Sequence, residues 1–116
     1  LLLSSPIPPI PPTCTGGRLK AKHCIHAVGP NYSHLLSHGS KIAECDALLR
    51  SAYTRAMYLA RTHDIKTIAF CLLSAGVHRG PQTREAVSDI AVKRLVGWLV
   101  ITRSFYLSMI VRVCLK

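Results

Sequence analysis

The stretch TIAFCLLSAGVHRGPQTRE, residues 67–85, contains the features that decide the fold of this chain. Its first seven residues are almost entirely apolar, which is typical of a strand buried on both faces of a parallel sheet. The small residues Ser74, Ala75 and Gly76 follow, and Thr83 and Glu85 then favour the first turn of a helix. A strand, a turn of small residues and a helix predict one unit of an α/β protein.

Further strands and a further helix are predicted on either side of this unit. Residues 22–28 are predicted to form a short strand and residues 108–115 a final strand. Apolar residues recur at three- and four-residue steps through 44–63, which predicts a helix, and the second helix covers 83–99. Residues 31–40 are predicted to be a loop. This order of elements favours a parallel sheet with crossover helices.

Some side chains of these elements are predicted to be buried. Cys71 lies inside the apolar run and is expected to be an inert core thiol. One side of the second helix is expected to face the core, namely Val87, Ile90, Ala91, Leu95 and Trp98. Three arginines of the first helix, Arg50, Arg55 and Arg61, are interpreted as a solvated face.

Length and charge limit the classes of function. A chain of 116 residues fits one domain, and 49% apolar residues exclude a disordered tail. Fifteen lysines and arginines against five acids give a net charge of +10, which favours anionic partners, including nucleic acid. Residues 1–15 hold five prolines and are predicted to be an irregular lead, so the domain is placed at 16–116.

The cysteines and the apolar segments predict a compartment. Five cysteines without a C-x-x-C pair are typical of reduced thiols inside a cell, in the cytoplasm or nucleus. Residues 95–111 are apolar, but Gly97 and Arg103 interrupt them, so no membrane span is expected. Neither a cofactor nor a metal site is predicted.

The turn after the apolar run has two interpretations. Small residues leave room for an anion against backbone N–H groups, and His78 and Arg79 could add hydrogen bonds or charge. The spacing matches neither a P-loop nor a dinucleotide-binding motif, so the pattern alone favours an ordinary turn. Tyr32 also has two interpretations, a ligand contact or a packing role. The pair His34 and His38 is assigned to the predicted loop and not to a zinc site.

Four segments together resemble the macro domain family. They are GGRLKAKHCIHAVGPNY (16–32), ECDALLRSAYTRAMYLA (44–60), IKTIAFCLLSAGVHRGP (65–81) and AVSDIAVKRLVGWL (86–99). The resemblance implies an α/β fold with a three-layer α/β/α mixed sheet, incomplete at its N-terminal end. Macro domains bind ADP-ribose, free or linked to protein, and several hydrolyse ADP-ribosyl esters or deacetylate O-acetyl-ADP-ribose.

The resemblance also implies which residues hold the ligand. The family's second loop wraps the diphosphate and the distal ribose, which assigns those contacts to Ser74, Ala75, Gly76, Val77, His78 and Arg79. His78 takes the place of the family's usual Phe or Tyr beside the ribose, and Arg79 that of a glycine.

The upstream half of the family pattern is not visible in this sequence. The N-A-A-N strand end and its glycine-rich loop have no counterpart, and Asn31 is the only asparagine. No catalytic residue is therefore assigned. The alternatives to ADP-ribose binding are a basic module that binds nucleic acid or a protein, and a macro domain fragment without a function of its own.

Overall fold

The computed structural model describes residues 14–15, 18, 21–102 and 106–109 of the chain. The strands are Cys14–Thr15 (β1), His23–Cys24 (β2), Thr67–Phe70 (β3) and Tyr106–Met109 (β4). The α-helices are Tyr32–Ser37 (α1), Ile42–Thr62 (α2) and Arg84–Thr102 (α3), and a 3₁₀ turn spans Val77–Arg79.

Helix α2 confirms the helix predicted from the apolar periodicity of 44–63. Near its start, the carboxylate of Glu44 accepts a hydrogen bond from the backbone N–H of Lys41 at 2.8 Å, which satisfies a donor outside the helical ladder. The helix ends before Asp64, whose φ of 52° stops the helical path. One face of α2 is fully or almost fully buried, consisting of Cys45, Leu49, Tyr53, Ala56, Met57 and Ala60.

Helix α3 confirms the second predicted helix and its cap. The Thr83 hydroxyl accepts a hydrogen bond from the backbone N–H of Ala86 at 3.1 Å, as an N-cap residue does. The predicted core face is also confirmed, because Val87, Ile90, Ala91 and Leu95 are buried and Trp98 packs against them, partly buried.

Strands β3 and β4 pair in parallel, with Thr67 opposite Tyr106 and Phe70 opposite Met109. Helix α3 is the crossover between them, as the predicted order of elements requires. Burial alternates along β3: Ile68 and Phe70 are buried, while Thr67 and Ala69 are exposed. The prediction of a strand buried on both faces was therefore wrong, because among the described residues the helices cover only one side of β3.

The predicted strand 22–28 was largely wrong. Only His23–Cys24 is a strand, and it pairs antiparallel with β1, with Cys14 opposite Cys24. Residues 25–28 have no ladder partner within the described part of the chain, so they are not assigned to a strand and do not join the β3–β4 sheet. The final strand, predicted at 108–115, begins earlier, at Tyr106, and residues 110–115 lie outside the described residues.

The loop predicted at 31–40 was also wrong, since it contains the short helix α1. The side-chain carbonyl of Asn31 accepts a hydrogen bond from the backbone N–H of His34 at 3.2 Å and so caps this helix. Tyr32, in the first turn, is fully buried. A polar sequence with serines and a glycine therefore forms a helix because its start is capped and one large side chain is packed.

The core of the described residues lies between α2, α3 and β3. Its members are Leu49, Tyr53, Ala56, Met57, Ala60, Ile68, Phe70, Val87, Ile90, Ala91 and Leu95. Burying these side chains is the main favourable contribution to folding. The described residues thus form an α/β arrangement in which two helices pack against β3, and β3 pairs in parallel with β4.

Helix α3 contains the first part of the apolar segment 95–111. None of the helices in the described ranges combines the length and the apolar character that a bilayer crossing requires. Residues 103–105, 110 and 111 of the segment lie outside those ranges.

Candidate functional site

The connection between β3 and α3 begins at a buried tyrosine. The backbone N–H of Leu73 donates a hydrogen bond to the hydroxyl of Tyr53 at 2.9 Å. Tyr53 lies on α2, is fully buried, and its ring contacts Phe70 at a centroid distance of 5.8 Å. Burial is the main reason that the pKa of Tyr53 is raised. The first residues of the connection are thus attached to the core.

Ser74 attaches the same connection to a distant part of the chain. Its hydroxyl donates a hydrogen bond to the carbonyl of Pro30 at 2.7 Å, 44 positions earlier in the sequence. Ser74 has a φ of 54°, in the left-handed region that non-glycine residues seldom adopt. The hydrogen bond to Pro30 offsets part of the cost of that conformation.

The end of the connection lies against the start of α1. Gly80 has a φ of 58°, and a Cβ at this position would be 2.7 Å from the Ser33 hydroxyl and 2.8 Å from the Ser33 amide nitrogen. Only glycine satisfies both the left-handed conformation and this close approach. Residues 74–80 are therefore fitted against residues 29–33 at both ends.

Several backbone amides of this connection are unpaired. Arg79 donates its N–H to the Gly76 carbonyl at 3.1 Å, but the N–H groups of Ser74, Gly76, Val77 and His78 have no hydrogen-bond partner among the described residues. Gly76, Val77 and His78 are exposed, and nothing lies within 4 Å of a Cβ added to Gly76. Unpaired amides in a turn are groups that bind anions.

The other predicted site residues differ in their surroundings. Ala75 is partly buried against the core, and Val77 is 83% exposed. The Nε of Arg79 is buried, and no group in the described part of the chain accepts its hydrogen. A buried guanidinium nitrogen without a partner is unfavourable, and a bound anion would satisfy it.

The start of α3 offers few further donors to the candidate anion-binding loop. The Ala86 amide is already bonded to the Thr83 hydroxyl, and the Val87 amide donates to the Thr83 carbonyl at 3.2 Å. The contribution expected from this helix terminus is thereby reduced, so the loop amides and Arg79 are the main groups for an anion.

A cavity of about 540 Å³ lies beside the loop. Its walls are residues 25–31, the side chains of His34 and Leu35 from α1, and one face of α2. Of the six predicted site residues, only His78 lines it. The α2 residues in its wall are Leu48, Ser51, Ala52, Arg55, Ala56 and Leu59. A cavity of this size can hold a small organic ligand.

Sequence reasoning missed this cavity. Leu48, Ala52 and Leu59 fit the apolar periodicity of α2, which does not distinguish a packed side chain from one that lines a cavity. Arg55 was interpreted as part of a solvated face, but it is only partly exposed and lines the cavity. The cavity forms because residues distant in sequence meet at α2.

The ionisable residues that line the cavity are all basic. They are His26, His34, Arg55 and His78, and no carboxylate occurs in the part of the wall that the structure describes. The remaining lining is mostly apolar. Such a cavity favours a ligand with an anionic group and an apolar body.

Of the two interpretations of Tyr32, a ligand contact or a packing role, the structure supports the packing role. It is fully buried, and its hydroxyl donates a hydrogen bond to the Asp46 carboxylate at 2.6 Å. Burial, and then the hydrogen bond and the negative charge of Asp46, raise the pKa of the Tyr32 phenol well above its usual value.

The loop predicted around His34 and the core position predicted for Cys71 were both wrong. The ring of His34, in α1, stacks on the ring of His38, the residue directly after this helix, at a centroid distance of 4.2 Å. Residues 21–102 bring no three metal-ligating side chains together. Cys71 is exposed, so its prediction as a core thiol was wrong, because burial alternates along β3 and Cys71, directly after the buried Phe70, continues this alternation on the exposed side.

Comparison with known proteins identifies one family. The family model described as Macro domain matches residues 13–91. This match confirms the resemblance drawn from the four sequence segments. It covers the cavity wall and the whole connection between β3 and α3.

Individual relatives agree with this match. The chain is 38% identical over 87 residues to ADP-ribose glycohydrolase MACROD1 of Bos taurus, which is 75% of this chain and 24% of that protein. It is 40% identical over 85 residues to a macro domain-containing protein of Methanosarcina mazei, covering 73% and 41% of the two chains. It is 38% identical over 80 residues to Protein-ADP-ribose hydrolase of Treponema medium, covering 69% and 28%. The chain thus spans 24% to 41% of the length of these relatives.

Proposed function

This chain belongs to the macro domain family, and we propose that it binds ADP-ribose, free or attached to a protein, through the loop 74–79. The observation that carries the proposal is the set of unpaired amides at Ser74, Gly76, Val77 and His78. A diphosphate offers oxygens that accept hydrogen bonds from such groups.

Arg79 supports the same proposal. Its buried Nε lacks a partner among the described residues, and its charge suits a phosphate oxygen. We expect Arg79 to donate to the diphosphate, while Ala75 contributes packing behind the loop.

The cavity supplies room for the rest of the ligand. His78 belongs both to the loop and to the cavity wall. ADP-ribose combines an anionic diphosphate with a flat base and two sugars, and the cavity combines basic side chains with apolar walls. We propose that His78 packs beside the sugar next to the diphosphate.

Isothermal titration calorimetry with ADP-ribose tests this function. The decisive variant is Gly76→Glu, because nothing in the described part of the chain obstructs a side chain there and a carboxylate would repel the diphosphate. We expect its affinity to fall by about tenfold or more. Gly76→Gln is the matched control, with the same size and no charge, and should lose much less. Absence of binding by the wild-type chain, or equal binding by the Glu and Gln variants, would contradict the proposal.

The finer architecture is part of the proposal. We propose that residues 16–116 contribute to a three-layer α/β/α domain with a mixed sheet, in which α2 and α3 form one helix layer. Their packing against one side of β3 supports this arrangement. Because the chain spans 24% and 41% of the length of two of its relatives, the complete three-layer domain is proposed for the whole protein.

Removal of ADP-ribose from proteins is a second candidate function. It is supported by the names of two relatives, an ADP-ribose glycohydrolase and a protein-ADP-ribose hydrolase. Incubation of the chain with a protein carrying radiolabelled ADP-ribose on acidic side chains tests it. Release of the label above a buffer control is expected, and label that persists would exclude this activity for the chain.

Binding of nucleic acid stays a prediction from the net charge of +10. A gel shift with a DNA oligonucleotide at low salt tests it, since such binding weakens steeply as salt rises. A complex that competes with ADP-ribose would place both ligands at the same loop.

A further inference from the structure

We propose that Asp46 is a positioning residue, which holds the loop 76–82 in the conformation that presents its amides to the ligand. The inference rests on the proposed function, although its structural part can be measured without any ligand. The Asp46 carboxylate is on α2, outside the residues assigned to the ligand, and acts on them through Gln82.

A single oxygen of Asp46 joins three elements. Its Oδ1 accepts hydrogen bonds from the Tyr32 hydroxyl at 2.6 Å and from the Gln82 side-chain amide at 3.1 Å. Tyr32 begins α1, Asp46 lies on α2, and Gln82 ends the loop. Both hydrogen bonds are partly buried, so water competes little for these groups.

The orientation of Gln82 is determined at both ends of its side-chain amide. Its Nε2 donates to Asp46, and its Oε1 accepts a hydrogen bond from the Thr83 amide at 3.0 Å. Because both polar atoms have partners, rotation of this amide would break two hydrogen bonds. The side chain therefore transmits the position of Asp46 to the backbone.

A short series of bonds leads from Gln82 to the unpaired amides. The Gln82 N–H donates to the Arg79 carbonyl at 3.2 Å, and the Arg79 N–H donates to the Gly76 carbonyl at 3.1 Å. Between them, Gly80 lies against Ser33, the residue after Tyr32. The Asp46 carboxylate is thus hydrogen-bonded to a residue on each side of the Gly80–Ser33 contact: to Tyr32 at the start of α1 and to Gln82 at the end of the loop.

The role of Asp46 is geometric and not electrostatic. A negative charge near an anion site lowers affinity, so the carboxylate would not favour a diphosphate by its charge. Asp46 acts through one carboxylate oxygen, which accepts hydrogen bonds from two donors, the Tyr32 hydroxyl and the Gln82 side-chain amide. Asparagine has the same shape and also an acceptor oxygen at this position. Asp46→Asn should therefore preserve the loop, and Asp46→Ala should not.

Two measurements on the full chain test the proposal. The first is the exchange rate of the hydrogen-bonded amides of Arg79 and Gln82, followed by NMR. The second is the dissociation constant for ADP-ribose. For Asp46→Ala we expect faster exchange at both amides and an affinity about five- to tenfold weaker, the size of a net hydrogen-bond loss. Exchange in the buried residues of β3 and α3 should be unchanged.

Three further variants are compared with Asp46→Ala. Asp46→Asn should stay within about twofold of the wild type in both measurements. Gln82→Met removes the donor from the loop side, while the Asp46 carboxylate keeps the hydrogen bond from the Tyr32 hydroxyl, and it should reproduce the faster loop exchange of Asp46→Ala. Asp89→Ala removes an exposed carboxylate that pairs with Lys93 and should change neither measurement.

The outcomes separate this inference from the proposed function. Faster loop exchange in Asp46→Ala and Gln82→Met, restored in Asp46→Asn, supports the positioning role even if the wild type binds no ADP-ribose, which would contradict only the proposed function. Unchanged exchange of Arg79 and Gln82 in Asp46→Ala would overturn the inference. So would equally faster exchange throughout β3 and α3, because Asp46 would then serve general stability.

Discussion

Gly29 lies directly against Ser74, and the two residues are in close contact although they are far apart in the sequence. A Cβ on Gly29 would collide with the Ser74 hydroxyl and would also be 3.1 Å from Leu73 Cβ and 3.2 Å from the Ser74 amide nitrogen. The same hydroxyl donates to the carbonyl of Pro30, the next residue after Gly29. The absence of a side chain at Gly29 thus allows the hydrogen bond that holds Ser74, the first residue of the proposed ligand loop 74–79.

Gly29→Ala is expected to destabilise the protein through Ser74. The new methyl group forces the hydroxyl away from Pro30, and the cost should be about 1–2 kcal/mol in the free energy of unfolding. Urea denaturation measures this value. In a Ser74→Ala background the same change should cost clearly less, since the displaced hydroxyl is absent. An equal cost in both backgrounds would show that Ser74 is not the cause.

Gly97→Ala is expected to have the opposite effect. Gly97 lies inside α3, it is exposed, and nothing lies within 4 Å of an added Cβ in the described part of the chain. Alanine restricts the unfolded chain and favours the helix, so the free energy of unfolding should rise by about 0.5–1 kcal/mol. Thermal unfolding followed by circular dichroism measures the change. A lower melting temperature would indicate that the surface around Gly97 is covered.

The buried phenol of Tyr53 should make stability depend on pH in the alkaline range. Burial raises the pKa of Tyr53 in the folded chain, whereas an unfolded tyrosine ionises near pH 10. Above that pH the unfolded chain releases a proton that the folded chain retains. The contribution of the protonated Tyr53 phenol to the free energy of unfolding is therefore complete below about pH 10, and it is lost as the pH rises beyond that value.

Comparison with Tyr53→Phe isolates this contribution. Stability measured in urea at pH 8 and at pH 10.5 should fall more in the wild type than in the variant, because the other titrating groups are common to both. A parallel loss in the two proteins would contradict the assignment. The variant also leaves the Leu73 amide without its acceptor, so it should be less stable at pH 8.

The cysteines should react with iodoacetamide in a defined order. Cys71 is exposed, whereas Cys45 is fully buried and its pKa is raised first by burial and then by Asp46 and Glu44. Thiolates are the reactive form, so the folded protein should be labelled at Cys71 well before Cys45. Peptide mapping by mass spectrometry after short incubation distinguishes the two sites. Comparable rates at both sites would contradict the burial of Cys45, and both should react at similar rates in guanidinium.

The two long helices were predictable because their signals are local. The apolar spacing of α2 and the Thr83 cap of α3 act between residues a few positions apart, and both helices lie within a few residues of the predicted bounds. The family was also recognisable, since short motifs in a given order can be identified from the sequence without knowledge of the contacts.

Local pattern failed where packing competed with it. The serines and glycine of 31–40 predicted a loop, yet the Asn31 cap and the buried Tyr32 form α1. The apolar residues of 22–28 predicted a strand, but a strand exists only where a neighbour pairs with it, and among the described residues β1 pairs with His23 and Cys24 alone.

Amino-acid order alone was sufficient for the two long helices and for the α/β class, and the family resemblance led to the proposal of a ligand loop at residues 74–79. The shape of that loop depends on contacts between residues far apart in sequence: Ser74 with Pro30, Gly80 with Ser33, and Gln82 with Asp46. The cavity, with Arg55 in its wall, follows from the same packing of distant segments. The physical reason is that helix formation is governed by neighbours within a few residues, whereas close approaches and cavities exist only after distant segments have packed.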